Sequence, residues 1–399
     1  MKVVYTDNNA TTRVAPEVVD AMLPYFTEYY GNPSSMHTFG GQVARKMDVA
    51  RQQVAELIGA DPAEIVFTSC GTESDNAAIW GILRANPRKR HIVITRVEHP
   101  AVYNLGKYLA QNGYHVTELG VDSHGMLDLN ELSDAVREDT AIVSIMYANN
   151  ETGVIFPIEE IGQIVKSKGS ILHTDAVQAV GKIPLNLSKS TIDLLTISGH
   201  KLHAPKGVGA LFIKKGITFT PFIVGGHQEK NRRGGTENVP SIIGLGKACE
   251  LAKNYMGKEL TVVKQLRDTL EEEILKKAPD VRVNGHKTQR LPNTTNLSFE
   301  FVEGEAILLL LNEKGICASS GSACTSGSLE PSHVLRAMGV PFTAVHGSVR
   351  LSLSRYNTIE DVHYIIEHLP PIIRRLREIS PYGREMKAKA QTTRVSAGI

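Results

Sequence analysis

The 399-residue chain is poor in aromatic residues (6%), with one tryptophan, four cysteines and a formal net charge of only +2. Each scarcity excludes something. Cys70, Cys249, Cys317 and Cys324 are too few and too scattered for a disulfide framework, and no C-x-x-C or Cys/His spacing points to a structural zinc, so no metal is expected. Near-neutrality, without Lys/Arg clusters interleaved with aromatics, argues against a nucleic-acid partner. No apolar run approaches the length of a membrane span; the longest, Ala306 to Leu311, fits a buried helix. The first dozen residues hold no apolar leader, and with reduced thiols a cytoplasmic location is expected. What is present is the composition of an ordinary globular protein, 42% apolar and 22% charged, long enough for a large and a small lobe.

From Ile65 onward strand and helix patterns alternate. Short β-type runs at Ile65 to Thr68, Ile92 to Thr95, His115 to Leu119, Ala141 to Met146 and Ser170 to His173 are separated by segments of helical period. That alternation predicts an α/β protein with a mostly parallel sheet covered by helices, its ligand beyond the carboxyl ends of the strands. Ser241 to Ile274 reads as one long helix. After it, short strands (Thr295 to Phe299, Ser348 to Ser352) mix with helices (Glu305 to Glu313, Ile359 to Arg377), as in a smaller α+β lobe. The polar, weakly basic stretch after Pro381 reads as a flexible tail.

The chemistry-bearing residues fall at the predicted strand ends. The run Ile192 to Ile197 leads to a small-residue turn that presents Lys201 between His200 and His203. A lysine there either snorkels to water or is held for its amine. Upstream, another strand end delivers Asp175, which could equally cap a helix from Ala176. A lysine that forms a Schiff base and an acid set against a pyridinium nitrogen are the two residues pyridoxal phosphate requires. Gly71 and Thr72 lie where a strand passes into a helix, whose free N–H groups can hold a phosphate, though Thr72 could be a plain helix cap. His99 ends a strand and could be a structural histidine. Cys324 lies among small residues, Ala318 to Ser328, without the apolar neighbours that a buried cysteine wants. Cys70, Cys249 and Cys317 sit in apolar or helical contexts and are read as structural.

These segments, HTDAVQ from His173, SGHKLHAPKGVG from Ser198 and SSGSACTSGSLEPSHVL from Ser319, resemble the PLP-dependent cysteine desulfurases of the NifS/IscS type, more the nitrogen-fixation branch than the housekeeping one. The likeness runs from DNNATT at Asp7 to about residue 380. It implies the aspartate-aminotransferase-like fold type I: an N-terminal segment 1–15 packing with the small domain, a large cofactor domain 16–257, and a small domain 258–380 carrying a catalytic cysteine loop, followed by the tail 381–399.

The resemblance also implies roles. Lys201 holds the cofactor, with Asp175 at its ring nitrogen and His99 over its ring. Gly71, Thr72, Ser198 and His200 surround its phosphate, Thr236 of a second subunit reaches it, and Asn149 and Gln178 bond its ring substituents. Asn8, Asn149 and Arg350 meet the substrate, Arg350 rather than Arg355 forking onto its carboxylate. Cys324 takes the sulfur of L-cysteine as a persulfide, leaving L-alanine. The expected partners are a second copy of the chain and an iron–sulfur scaffold that accepts the sulfur, with a cluster bound transiently at Cys324. A selenocysteine lyase or another aminotransferase-like enzyme would share most of these residues. Transamination, however, has no use for Cys324.

Overall fold

Among the described residues twelve strands organise the fold: β1 (Val4–Tyr5), β2 (Ile65–Thr68), β3 (His91–Thr95), β4 (His115–Leu119), β5 (Thr140–Ser144), β6 (Ile171–Asp175), β7 (Leu194–Ser198), β8 (Gly209–Ile213), β9 (Val281–Val283), β10 (Thr294–Phe299), β11 (Ile316–Cys317) and β12 (Ser348–Ser352). The computed structural model describes residues 2–320 and 330–380. Cys324 and the tail from 381 lie outside them.

Seven strands form the main sheet in the order β2-β8-β7-β6-β5-β3-β4. All neighbours are parallel except β8, which runs antiparallel to both β2 and β7. Strands β2, β3, β5, β7 and β8 are buried along their whole length, which is why they read as continuous apolar runs rather than alternating ones. Edge strand β4 is only part-buried. The helix Thr38–Ile58 packs against the helix Val239–Lys258, and their approach requires glycine: a Cβ on Gly246 would lie 2.6 Å from the Ala50 Cα.

The expected helix from Ser241 to Ile274 is not regular. Val239–Lys258 passes through a π-helical turn, Glu259–Val263, into Lys264–Lys277. The turn carries Glu259 inward to 7% exposure. Beyond it, β10 pairs with β12 and β9 in an antiparallel sheet packed against Ile359–Ile379.

The core of this second lobe joins Leu270, Leu297, Phe299, Val349 and Ile365 with Val4, so the N-terminal segment packs into it, tied also by the parallel pairing of β1 with β11. Val334, Leu335, Met338 and Val345 side instead with the core of the large sheet. The helix Gly304–Glu313 is amphipathic rather than buried: Ile307 and Leu311 face inward while Leu309 is 67% exposed. Among the described residues no helix is long and apolar enough to cross a membrane.

Candidate active site

The carboxyl ends of β2, β3, β5, β6 and β7 open onto one cavity of about 320 Å³. Strand β7 ends at Ser198 in a single 3₁₀ turn, Gly199–Lys201, and His203 follows in the left-handed region (φ 64°). That conformation is uncommon for a side-chain-bearing residue and is held from outside. The His203 N–H donates to Thr12 Oγ1 at 2.9 Å, while the Thr12 hydroxyl and N–H both donate to His200 O. The DNNATT loop therefore clasps the turn that presents Lys201. The Lys201 amine donates to Ala10 O at 2.7 Å and to Asn9 O.

Asp175 ends β6 and is 6% exposed. No helix follows it; its carboxylate instead accepts the Val177 N–H at 2.9 Å and caps a turn. Burial raises its pKa to about 6, opposed by that hydrogen bond and by Lys201. Behind it stands Asp75, on the inner face of the helix Gly71–Ala85, fully buried and pushed up by desolvation and by the charge of Asp175. His173, with one ring nitrogen against Ser144 Oγ (2.8 Å) and the other against Thr196 Oγ1 (3.0 Å), is lowered to about 3 by burial and stays neutral.

His99 caps the helix Pro100–Gln111, its Nδ1 accepting the Ala101 N–H at 3.2 Å. The ring proton therefore sits on Nε2. Burial, then Lys201 and His333, lower its pKa to about 4, so the ring is neutral near pH 7. Asp75, His99 and Asp175 each bring a potential ligand atom within 4.8 Å of the others.

Gly71, Thr72, His99 and Asp175 line the cavity, as do Gln178, Ser198, His200, Lys201 and Arg350. Arg350 lies on β12 and is 2% exposed; it donates to Asp7 Oδ1 (2.8 Å) and to Asn150 O (3.0 Å). Its Nε has no partner among the described residues. Two expectations are displaced by one residue. The Asn149 amide is consumed by its own turn, donating to Val97 O and accepting from Glu151, Thr152 and the Thr152 hydroxyl, and Asn150 lines the cavity instead. Asn8 donates to Ser352 O and lines a separate small cavity, whereas Asn9 lines the main one. Thr236 is exposed and lies outside this chain's cavity. Cys70, read as structural, lines the cavity and caps the helix Gly71–Ala85 in place of Thr72, accepting the Glu73 N–H at 3.4 Å. Cys249 is buried as expected, its thiol pushed up to about 12. Cys324 lies outside the described residues.

A family model described as aminotransferase class-V matches residues 4–365. The chain belongs to this family. Among class-V relatives, a cysteine desulfurase of Nostoc sp. is 62% identical over 396 residues, covering 98% of this chain and 99% of that one. The cysteine desulfurase NifS of Azotobacter vinelandii is 57% identical over 380 residues, 95% of this chain and 94% of its own. A solved structure titled NifS-like protein superposes with a TM-score of 0.88 at 41% identity, covering 94% of this chain and 100% of that one. SspA in complex with cysteine gives 0.79 at 33% identity, over 89% and 99%. The mostly parallel sheet and fold type I architecture expected from the sequence are those of this family.

Proposed function

We propose that the chain is a pyridoxal-phosphate-dependent cysteine desulfurase whose cavity takes L-cysteine and releases L-alanine. The observation that carries this reading is the convergence of the Lys201 amine, the buried Asp175 carboxyl and the buried Arg350 guanidinium in one cavity. The donor set fits the cofactor. Lys201 would hold its aldehyde carbon and Asp175 its ring nitrogen. Gly71, Thr72, Ser198 and His200 surround a space suited to its phosphate at a helix N-terminus. A Cβ at 71 would crowd this space, 3.1 Å from a Val177 methyl and 3.3 Å from the Ser198 Cβ. When bound, the group withdraws the electrons left at the substrate Cα and makes the bond from Cβ to sulfur labile.

The chain's own residues do the rest. Arg350 holds the substrate carboxylate, Lys201 takes the Cα proton, and His99 lines the cavity as a neutral ring able to carry a proton. The Cys324 thiolate attacks the substrate sulfur; an S–S bond forms as the Cβ–S bond breaks, and Cβ gains a proton to give alanine. A relative's structure with cysteine and the cysteine desulfurase relatives support the substrate.

We further propose a cytoplasmic homodimer that passes sulfur to an iron–sulfur assembly scaffold, in the service of nitrogenase, as likeness to NifS suggests. Exposed Leu23, Phe26, Tyr30 and Met36 offer an apolar surface for the second copy, and Thr236, outside its own cavity, is free to serve the partner's. The test is to mix the protein with L-cysteine and measure alanine and sulfide together, with C324A alongside. Equal yields from wild type and neither from C324A are expected; pyruvate without alanine would sink the reading.

A further inference from the structure

A buried lysine stands behind the site and is absent from the mechanism above. Lys182 is 7% exposed and does not line the main cavity; it lines the small one beside Lys201, Glu259 and Arg355. Its Nζ donates to Gln178 Oε1 at 2.7 Å and reaches Asn9 Oδ1 at 3.4 Å. Gln178 Nε2 in turn donates to Asn9 O at 3.0 Å, the same carbonyl that receives the Lys201 amine.

The polarity of this chain of bonds is forced. A backbone carbonyl only accepts, so Asn9 O takes the Nε2 side of the Gln178 amide, and the Lys182 amine, which can donate whether charged or neutral, meets Oε1. Oε1 turns back to Lys182, and the second hydrogen of Nε2 is left for the cavity that Gln178 lines. Were Lys182 apolar, the buried Oε1 would lose its partner, and the amide would gain from turning toward any donor in the cavity.

We propose that Lys182 is a positioning residue of this site, holding the Gln178 amide so that an N–H faces the bound group and lowers that group's proton affinity. The inference rests on the pyridoxal phosphate reading. Burial, then repulsion from Lys201 and Arg350, lower the Lys182 amine to about 7, with Glu259 opposing. His203 and Arg355 are the other ionisable groups around it. A lysine with that burden and no contact with the cavity is costly unless its bond to Gln178 is used.

The experiment is a pH titration of the visible absorption of the cofactor-loaded protein. In K182M the midpoint should rise by about one pH unit, the displacement that loss of one aligned hydrogen bond from the Gln178 amide to the bound group produces. K182R, also donor-only, should bring it back toward wild type. In a Q178L background K182M should move the midpoint far less. An unshifted midpoint in K182M, or a full shift in the Q178L background, overturns the proposal, the latter because Lys182 would then act by charge alone. If K182M does not fold by circular dichroism, K182L, which likewise has no donor, is read against the same outcomes. If wild type itself takes up pyridoxal phosphate without a visible band, the cofactor reading fails and takes this inference with it.

Discussion

Arg350 Nη2 lies 2.8 Å from Asp7 Oδ1, while Nη1 donates to Asn150 O at 3.0 Å. The guanidinium is thus gripped by the N-terminal loop on one side and by the loop after β5 on the other, with Nε unpaired among the described residues. A planar donor held on two edges is pre-oriented for a carboxylate arriving on what remains. In D7N the grip weakens but the shape survives. The KM for L-cysteine should rise about 10-fold, with kcat changed by no more than about 2-fold. Steady-state kinetics checks this. A fall in kcat at unchanged KM would mean that Asp7 serves the chemistry rather than the substrate carboxylate.

Asp175 sets function against stability. Its pKa, raised to about 6, lies above that of an unfolded aspartate, so between about pH 4 and 6 the folded chain binds the extra proton. Stability contributed by the protonated carboxyl is present below that window and is lost as pH rises through 6. Cofactor-free D175N should therefore melt higher than wild type at pH 8, with the gap closing near pH 4. Its desulfuration rate should fall on the order of 10²–10³-fold. Thermal melts at the two pH values decide the first half, and a gap that widened toward acid would contradict it.

The segment that carries Thr236 is held at its base by a buried ion pair. Arg51 donates to both Glu229 carboxylate oxygens, at 2.7 and 2.8 Å, and the Phe67 N–H adds a third bond at 2.9 Å. Glu229, Lys230 and Asn231 all have positive φ (48°, 56° and 63°), a run that needs such outside support. R51M leaves a buried carboxylate unbalanced and should cost about 3–5 kcal/mol in chemical denaturation. A loss under about 1 kcal/mol would mean that water reaches Glu229 in solution.

The strand end that leads to Lys201 was legible because β7 is an apolar run buried on both faces. Strand β6 holds only Ile171 and Leu172 before His173 and Thr174, so Asp175 was legible from its motif and its place at a strand end. The errors at Asn149 and Asn8 share one cause. Each belongs to an Asn-Asn pair in a turn, where no period of two or 3.6 says which side chain faces the site, and hydrogen bonds to distant backbone decide. Asp75 and Lys182 gave no signal, since each is a single polar residue whose burial depends on packing from far along the chain. The π turn at Glu259 was hidden for the same reason, as helical spacing continues on both sides of it. Cys70 caps a helix, in keeping with a structural reading, but its place on the cavity wall could not be told from a strand-to-helix junction alone.

His99 gives the last prediction, and its sign follows from its lowered pKa. With the ring held neutral down to about pH 4 and Nδ1 tied to the Ala101 N–H, no change in its charge occurs between pH 5 and 8. Any acidic limb in kcat within that range must then come from another group. H99Q keeps an N–H donor but loses the ring face and the proton-carrying capacity of imidazole. Its kcat should fall about 10²-fold while the shape of the pH profile stays unchanged. Should the acidic limb vanish in H99Q, the histidine titrates in the working range, and the loaded site must be polar enough to undo the burial that depresses it.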